Sequence, residues 1–354
     1  MAEATPATIN FGKHVKYFVA NLTMLPTAYT ETETNRMTLA FFCLASLELL
    51  GALETAVSER NRSDWIEWIY AQQIKPAPDG SDLNRAKCGF RGASWSGRPF
   101  DSHATTSDYI PYDSGHITNT YTALISLLIL GDDLSRVDRD AIVESIRCMQ
   151  QPDGSLGPTE ESLERDARFF FSACAVSYIL NDWRGLDLDQ CIHYARQLQT
   201  YEGTFGQQPH MEAHGGSTFC GVAALTLMGK QEQGIINKDK LIRWCLSRQT
   251  TGFAGRPNKD ADACYCFWIG AALTMLDAFQ LTNQDNLREF LAQCQTDFGG
   301  FGKAPGARPD LMHSYMGVAA LSLMGEPGIG RLDVAVNAPA TAMARLKEQC
   351  VFWS

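Results

Sequence analysis

The stretch CGVAALTLMG (residues 220–229) returns as MGVAALSLMG (residues 316–325), and IGAALTML (residues 269–276) lies between them. Each is an apolar run rich in small residues, which is typical of a buried helix. One leucine of the run recurs every 48 residues, at Leu225, Leu273 and Leu321. A repeat of this length predicts one supersecondary unit that recurs along the chain.

A glycine-rich turn recurs four times, and its last three copies each precede one of these runs. It reads GSLG, GTFG, GFAG and GGFG, and successive copies lie 49, 48 and 48 residues apart, measured between Leu156, Phe205, Phe253 and Phe301. An amphipathic segment that ends near a glutamine comes before each turn. The unit is therefore a hairpin of an outer helix with one polar face and an inner apolar helix. Such hairpins must stack, because none can bury its apolar face alone.

Earlier segments are weaker copies of the inner helix. RMTLAFFCLASLELL (residues 36–50) is apolar on nearly every side, and residues 115–130 and 168–180 repeat the pattern less regularly. Inner and outer segments together give about twelve helices, or six pairs. Six pairs could form an open solenoid, but the first and last inner helices are equally apolar and neither resembles a polar cap. We therefore predict an all-α fold, a closed α/α toroid of six helical hairpins, with residues 1–354 as a single domain.

The first third of the chain is less regular. Residues 1–30 are weakly patterned, with a short helix predicted from Phe11 to Leu22. A second amphipathic helix is predicted over residues 64–74, with Ser63 or Asp64 as its cap. Residues 75–113 are rich in Pro, Gly, Ser and Asp, and a loop of that length inside a compact domain is usually functional.

Composition excludes several classes of protein. The 354 residues carry a formal charge of −10, which argues against binding to nucleic acid. No run of about 18 apolar residues is free of polar interruption, so we expect no membrane span. Residues 1–10 lack a cationic-then-apolar signal, and most of the eleven cysteines, Cys148 among them, lie in apolar helical patterns. This indicates reduced core cysteines and a cytoplasmic protein.

The repeat register gathers metal-ligand residues at one end of the ring. Asp262 and Cys264 stand where an inner helix begins, Asp310 lies 48 residues after Asp262, and His313 follows in the neighbouring repeat. Asp, Cys and His with one open position are typical of catalytic rather than structural zinc. The alternative is a solvated aspartate, a core cysteine and a histidine that caps its helix.

Cations accompany this cluster. Arg256 and Lys259, with His214 and Tyr265 nearby in the register, could bind a diphosphate or polyanion at helix N-termini; a solvated basic turn is the alternative. Arg168 is predicted at the same mouth. Aromatic residues on the inner helices would suit an isoprenoid in the lumen, although each alone is more typical of core: Phe41, Phe42, Phe169, Phe170, Phe171, Phe219, Phe267 and Trp268.

Several motifs, in this order, resemble the β subunits of the protein prenyltransferases, most of all those of type I geranylgeranyltransferases. The resemblance runs from RMTLAFF (residues 36–42) to HSYMGVAALSLMG (residues 313–325). Its specific pieces are CGFRG (88–92), YDSGHI (112–117), ILGDDLSRV (129–137), HGGSTFCG (214–221), GFAGRPNKDADACY (252–265) and GGFGKAP (299–305).

The resemblance implies an α/α toroid in an obligate heterodimer with a helical-repeat α subunit. Such an enzyme transfers a geranylgeranyl group from its diphosphate to the cysteine of a C-terminal CaaX motif, as in small Rho-type GTPases, with X preferentially Leu. Asp262, Cys264 and His313 match the family's ligands for one Zn²⁺. His214, Arg256, Lys259 and Tyr265 match its diphosphate-binding residues, to which the α subunit adds a lysine.

Further matches concern the two substrates. Arg168 and Trp268 match residues of the substrate cavity, and Thr38 and Phe42 match residues near the end of the isoprenoid, where farnesyltransferases have Trp in place of Thr38. The pocket for the final residue of CaaX is matched by His116, Thr118, Phe169 and Met312, of which Thr118 and Met312 depart from the usual Ala and Leu. Lys303 replaces an aspartate that helps hold Mg²⁺ in farnesyltransferases, so no Mg²⁺ requirement is expected.

Other functions fit the sequence less well. Thr38 and Lys303 differ from the residues of farnesyltransferases. The motifs of the Rab-directed enzyme do not match this sequence along the whole chain to a comparable extent. A triterpene cyclase would need an acidic cluster in its lumen, whereas Asp187 and Asp189 adjoin an outer helix. A non-enzymatic helical scaffold would explain the repeat but not the register of Asp, Cys and His.

Overall fold

Helices account for both layers of the fold. The computed structural model describes residues 8–77, 79–94 and 113–353, so residues 95–112 of the predicted functional loop, with residue 78, lie outside the described part. In chain order the α-helices are α1 (Phe11–Thr23), α2 (Arg36–Leu49), α3 (Leu53–Ala56), α4 (Glu59–Tyr70), α5 (Ile117–Leu130), α6 (Arg139–Met149), α7 (Ala167–Ile179), α8 (Leu188–Gln197), α9 (Gly215–Leu227), α10 (Gln231–Gly234), α11 (Lys238–Ser247), α12 (Ala263–Met275), α13 (Gln284–Cys294), α14 (Leu311–Leu323) and α15 (Ala340–Gln349).

Six of these helices form a closed inner ring. Helices α2, α5, α7, α9, α12 and α14 each contact the inner helix on either side, and α14 contacts α2. They are buried over most of their length, as their all-apolar sequences require. Helices α1, α4, α6, α8, α11 and α13 form the outer layer and keep one exposed face. The predicted closure of six hairpins into an α/α toroid is confirmed.

Local sequence determines where the inner helices begin and end. The side chain of the residue before each of five inner helices accepts hydrogen bonds from backbone N–H groups of the first turn: His116, Asp166, His214, Asp262 and Asp310. The helices end at left-handed residues, for which glycine is favoured; Gly229 and Gly325, with φ of 67° and 69°, close the two LMG copies.

Backbone hydrogen bonds join the inner helices at their N-terminal ends. The first backbone N–H of α9 donates to the carbonyl oxygen of Gly255 at 2.8 Å. The first backbone N–H of α12 donates to the carbonyl oxygen of Lys303 at 2.9 Å. The first amide of α14 closes the ring by donating to the phenolic oxygen of Tyr29 at 2.9 Å. Each glycine-rich turn is thus fixed to the neighbouring inner helix, and all these turns share one end of the toroid, which we call the mouth.

Glutamines join the outer layer in a similar way. The side chain of Gln249 accepts from the backbone N–H of Asn283 at 3.0 Å and donates to its carbonyl oxygen at 2.7 Å. Gln150 makes the same pair of bonds with Asp187, while Gln199 donates to Gly234 O and accepts from Ile236 N. Gln295 joins the end of α13 to the beginning of the described chain, because it accepts from Asn10 N and donates to Thr8 O. These bonds explain the glutamine that ends each outer segment.

Replacement of Gln295 by alanine is expected to lower the free energy of unfolding by about 1–2 kcal/mol, since two hydrogen bonds that close the outer layer are lost. Urea unfolding measures this. Gln293→Ala is the control, because the exposed Gln293 donates to Glu289 on the same helix and its loss should change stability by less than about 0.5 kcal/mol. Equal effects of the two changes would contradict the role given to Gln295.

The C-terminal segment closes the far end of the toroid. Strands β3 (Leu332–Asp333) and β4 (Ala338–Pro339) form a short hairpin. At its buried tip, the carbonyl oxygen of Val336 accepts a hydrogen bond from the Tyr121 hydroxyl (2.6 Å). The carbonyl oxygen of Asn337 accepts one from the Tyr315 hydroxyl (2.9 Å). Helix α15 follows, and Arg345 donates to the carbonyl oxygen of Ile129 near the end of α5. The lumen therefore has a floor opposite the mouth, which the repeat pattern did not predict.

Four details differ from the sequence predictions. The second outer helix spans Glu59–Tyr70 rather than 64–74, because Ser58 and not Ser63 or Asp64 caps it, accepting from Asn61 N. Residues Gln73–Ile74 pair instead with Gly89–Phe90 as strands β1 and β2. All eleven cysteines are free as predicted, but Cys148 is exposed. Phe170 faces the outer layer and packs on Tyr194 of α8 rather than lining the lumen.

Candidate functional site

Three side chains of two neighbouring repeats meet at the mouth. Asp262 caps α12, Cys264 lies in its first turn, and His313 lies in the first turn of α14. Each residue offers one ligand atom: a carboxylate oxygen, Sγ or a ring nitrogen. These three atoms all lie within 4.8 Å of one another. That separation is close to the span of two zinc–ligand bonds of about 2.0–2.3 Å. The predicted gathering of these residues by the repeat register is confirmed.

Asp310 orients the histidine of this cluster. Its Oδ1 accepts from the backbone N–H of His313 at 2.9 Å and so caps α14, while its Oδ2 lies 2.6 Å from His313 Nδ1. A carboxylate that receives the Nδ1 proton leaves Nε2 as the ligand atom, the usual arrangement around a metal-binding histidine. His313 Nε2 points to Asp262, 3.3 Å from its Oδ1.

The protonation of the cluster follows from these contacts. Burial alone would lower the pKa of His313, but hydrogen bonds with Asp262 and Asp310 raise it to about 9. Burial, followed by the charge of Asp262, raises the pKa of the Cys264 thiol. Burial also opposes ionisation of Asp262, yet hydrogen bonds from His313 and Cys264 outweigh it and lower the pKa of that carboxyl group. A cation that binds here must displace protons from Cys264 and His313.

Lys303 stands beside the same cluster. Its Nζ lies 4.0 Å from Asp262 Oδ2, and its side chain is 66% exposed. Its carbonyl oxygen accepts from Ala263 N, so the turn that carries Lys303 is fixed to the start of α12. The ammonium group therefore faces the open side of the mouth next to a candidate metal ligand.

His214 and Tyr265 form a second polar pair at the mouth. His214 Nδ1 accepts from the backbone N–H groups of Gly216 and Ser217, at 3.1 and 3.2 Å, so the neutral ring carries its proton on Nε2. Nε2 lies 3.1 Å from the Tyr265 hydroxyl. Donation from Nε2 to the phenolic oxygen leaves the tyrosine proton free for a ligand. The Tyr265 ring covers Gly255, where an added Cβ would lie 2.0 Å from it.

The cations near this pair are already partnered by carboxylates. Arg256 forms an ion pair with Glu212. Arg168 is 55% exposed and pairs with Glu164 and with the buried Asp166. Burial, followed by the positive charge of Arg256, lowers the pKa of His214. Lys259 lies on the same turn as Arg256 and is exposed.

Aromatic side chains connect all six inner helices around the lumen. Ring contacts of 5.0–5.9 Å run from Phe42 through Tyr315, Phe41, Tyr121, Phe171 and Phe219 to Phe267 and Trp268. Phe42 and Trp268 keep part of their surface accessible. Thr38, one helical turn before Phe42, is half-buried and donates to Asn119 Oδ1 at 3.1 Å. The lumen is thus apolar and aromatic, with a polar stretch at Thr38.

The residues predicted for the end of the peptide lie mostly together. The His116 ring packs edge-on against Phe169 at 6.0 Å, and its Nδ1 accepts from Thr118 N. Met312 lies beside His313 at the start of α14 and is 37% exposed. Sequence reasoning missed Ser172, which contacts Thr118, and the hydroxyls of Tyr121 and Tyr315. The sequence indicated these residues only in that each is a polar side chain within a helix predicted to be buried.

The closed α/α toroid, with an Asp, Cys and His cluster at its mouth, is found in a known class of proteins. The family described as prenyltransferase alpha-alpha toroid domain matches residues 9–338. The geranylgeranyl transferase type-1 subunit beta of Dictyostelium discoideum is 40% identical over 335 residues, covering 93% of this chain and 95% of the relative. That of Arabidopsis thaliana is 37% identical over 346 residues, with 94% and 90% covered. The chain belongs to the prenyltransferase toroid family and, within it, to the β subunits of type-1 geranylgeranyl transferase.

Two further comparisons concern a farnesyltransferase subunit and a solved structure. The farnesyltransferase β subunit of Schizosaccharomyces pombe is 29% identical, covering 89% of this chain and 78% of the relative. The solved structure of Candida albicans protein geranylgeranyltransferase-I complexed with GGPP superposes with a TM-score of 0.84 at 22% identity, over 97% of this chain and 99% of that one. Its likeness supports the toroid fold. Among the described residues no helix is both long and apolar enough to cross a bilayer.

Proposed function

We propose that this chain is the catalytic subunit that transfers a geranylgeranyl group from geranylgeranyl diphosphate to the cysteine of C-terminal CaaX motifs, with X preferentially Leu. It would act as a single domain, in the cytoplasm, as a heterodimer with an α subunit, on substrates such as small Rho-type GTPases. The observation that carries this proposal is the meeting of Asp262, Cys264 and His313 at the mouth of an aromatic lumen.

The three side chains fit one Zn²⁺. They offer O, S and N donors, and the contact between Asp310 and His313 Nδ1 leaves Nε2 for the ion. Three protein ligands leave a fourth position open for a substrate. When bound, zinc lowers the pKa of a thiol that binds to it, so that the peptide cysteine is a nucleophile at neutral pH.

The chain's other residues would then act on the prenyl diphosphate. The aromatic lumen excludes water and holds the hydrocarbon chain, so that its first carbon lies at the mouth. Arg256, Lys259 and Lys303 stabilise the negative charge that grows on the diphosphate as the carbon–oxygen bond breaks. The hydroxyl of Tyr265, whose oxygen accepts from His214, donates a hydrogen bond to the same leaving group.

Transfer by the purified heterodimer tests the proposal. A peptide ending in CaaL would be incubated with zinc and geranylgeranyl or farnesyl diphosphate, and the product mass measured. We expect a thioether with the twenty-carbon group and a higher kcat/KM for that donor. Preferential transfer of the fifteen-carbon group would favour a farnesyltransferase, and no transfer of either would overturn the proposal.

Thr38→Trp is expected to shift donor preference towards farnesyl diphosphate by roughly tenfold or more. An indole at Thr38 would fill space that the last isoprene unit occupies, and overpacking costs about 1–3 kcal/mol where the surroundings cannot relax. The ratio of kcat/KM for the two donors measures this. Thr38→Val, which keeps the volume, is the control. A preference unchanged in Thr38→Trp would mean that this side chain does not limit the isoprenoid.

Lys303→Asp is expected to slow transfer on the order of tenfold in the absence of magnesium, and millimolar Mg²⁺ should restore part of the rate. The change removes a cation from the leaving group and supplies a carboxylate that can hold a second metal. Arg308→Asp makes the same charge change on the same turn and is the control. Strong stimulation of the zinc-saturated wild type by Mg²⁺ would contradict the role of Lys303.

A further inference from the structure

The last inner helix begins differently from the four before it. In α5, α7, α9 and α12 the first backbone N–H donates to a carbonyl oxygen that lies two residues after the apolar residue of the next glycine-rich turn. These oxygens belong to Pro158, Gln207, Gly255 and Lys303. Helix α14 is followed in the ring by α2, which no glycine-rich turn precedes. Its first N–H, that of Leu311, donates instead to the hydroxyl oxygen of Tyr29 at 2.9 Å.

The hydroxyl of Tyr29 therefore takes the place of a carbonyl oxygen that the repeat cannot supply at this position. Tyr29 lies in the 3₁₀ helix Thr27–Asn35, directly before α2, and its half-buried side chain packs against the core. Burial raises the pKa of this tyrosine, and the negative charge of Asp310 adds to the increase. The hydroxyl stays neutral at pH 7 and accepts the Leu311 N–H with a lone pair.

The peptide group that Tyr29 holds carries the partner of a candidate metal ligand. It joins Asp310 to Leu311, and Leu311 is fully buried, so its N–H cannot turn to water if the hydroxyl is lost. Asp310 holds His313 twice, through the backbone N–H at 2.9 Å and through Nδ1 at 2.6 Å. The position of His313 Nε2 thus depends on the position of this peptide group.

The N-terminal helix α1 fixes the turn that enters α14 as well. The buried His14 accepts at Nδ1 from the backbone N–H of Gly300 at 2.9 Å, and its ring stacks on Phe301 with the centroids 4.5 Å apart. The backbone N–H of Phe301 donates in turn to Ser314 Oγ, next to His313, at 2.9 Å. Both the entry and the first turn of α14 are therefore held by residues that precede the repeat.

We propose that Tyr29 is a positioning residue of the metal centre. Its hydroxyl fixes the peptide group between Asp310 and Leu311 and so holds His313 Nε2 towards Asp262 and Cys264. The inference rests on the proposed function, since it concerns the zinc of that site, and it extends the site to a residue outside the repeat. Tyr29 lies outside the cluster of ligand atoms, so its loss should weaken zinc binding without removing a ligand.

Tyr29→Phe tests this in the purified heterodimer, because it removes the hydroxyl and keeps the ring. Competition with a chelator should show zinc affinity lowered about threefold to tenfold. Tyr315→Phe is the matched control: it removes a hydroxyl from α14 itself, but one that donates to Asn337 O at the floor. With zinc removed, both variants should unfold at lower urea concentration than the wild type, since each loses one hydrogen bond. Only Tyr29→Phe should lose zinc affinity.

A double-mutant cycle tests the route through Asp310. Asp310→Ala removes the partner of His313 Nδ1 and should weaken zinc about 10–100-fold. The further loss caused by Tyr29→Phe should be smaller in that background than in the wild type, because both changes release the same histidine.

Three results would overturn the inference while the proposed function stands. They are a zinc affinity of Tyr29→Phe equal to that of the wild type, an equal loss in Tyr315→Phe, and losses in the double variant that multiply independently. A wild type that binds no zinc would instead overturn the proposed metal site, and this inference with it.

Discussion

Replacing Cys264 with alanine is expected to reduce prenyl transfer to the background rate and to remove tightly bound zinc from the heterodimer. In the proposed site Cys264 would supply one of three protein ligands, and two ligands do not hold zinc tightly. The fold should survive, because the change removes one small side chain from the mouth end of α12 while the cap by Asp262 remains. Turnover and zinc content of the purified variant measure both effects.

Cys266 provides a matched control two residues further along the same helix. It is also a buried free cysteine, but it lies outside the cluster of ligand atoms. The Cys266→Ala variant should keep zinc and most of the activity. It should lose a modest amount of stability, because removal of the buried thiol leaves a small cavity. His313→Ala should behave like Cys264→Ala, and Asp262→Asn should weaken zinc less, because an oxygen ligand remains. Full activity in His313→Ala would show that another residue is the third ligand.

Replacing Arg256 and Lys259 together with alanine is expected to lower turnover about 10²–10³-fold and to weaken binding of the prenyl diphosphate. Both cations stand on the turn that leads to the candidate metal ligands, and charge on the leaving group is greatest in the transition state. Peptide affinity should change little. Single-turnover rates, with separate titrations of the two substrates, measure these effects.

Arg243→Ala is the control for that double variant. Arg243 is an exposed cation on the outer helix α11, so its loss changes the net charge without altering the mouth. It should leave rate and affinities nearly unchanged. If the double variant lost affinity for both substrates equally, the turn would bind the peptide or stabilise the fold rather than bind the diphosphate.

Periodicity predicted the parts of the molecule that repeat. The 48-residue step placed Asp262 and Asp310 at equivalent helix starts, and both cap their helices as that register requires. The same step takes Cys264 to Met312, and His313 is the next residue, which is why the metal cluster was predictable before any distance was known. The roles of single residues towards diphosphate and peptide depend on ligands, and they remain predictions.

Features outside the repeat were not predictable from the pattern. The C-terminal hairpin that receives the hydroxyls of Tyr121 and Tyr315 has no copy elsewhere in the chain, so nothing in the register indicated a floor. Helix α4 begins earlier than predicted because Ser58 caps it, and by residue type Ser58 and Ser63 are equally good caps.

The zinc content of the purified heterodimer tests the central claim most directly. After exhaustive dialysis against buffer without metal, the wild type should retain about one zinc per β subunit, and the Cys264→Ala and His313→Ala variants should retain almost none. Cys266→Ala should match the wild type. A wild type that holds no zinc, or variants that keep it in full, would contradict a catalytic metal held by Asp262, Cys264 and His313.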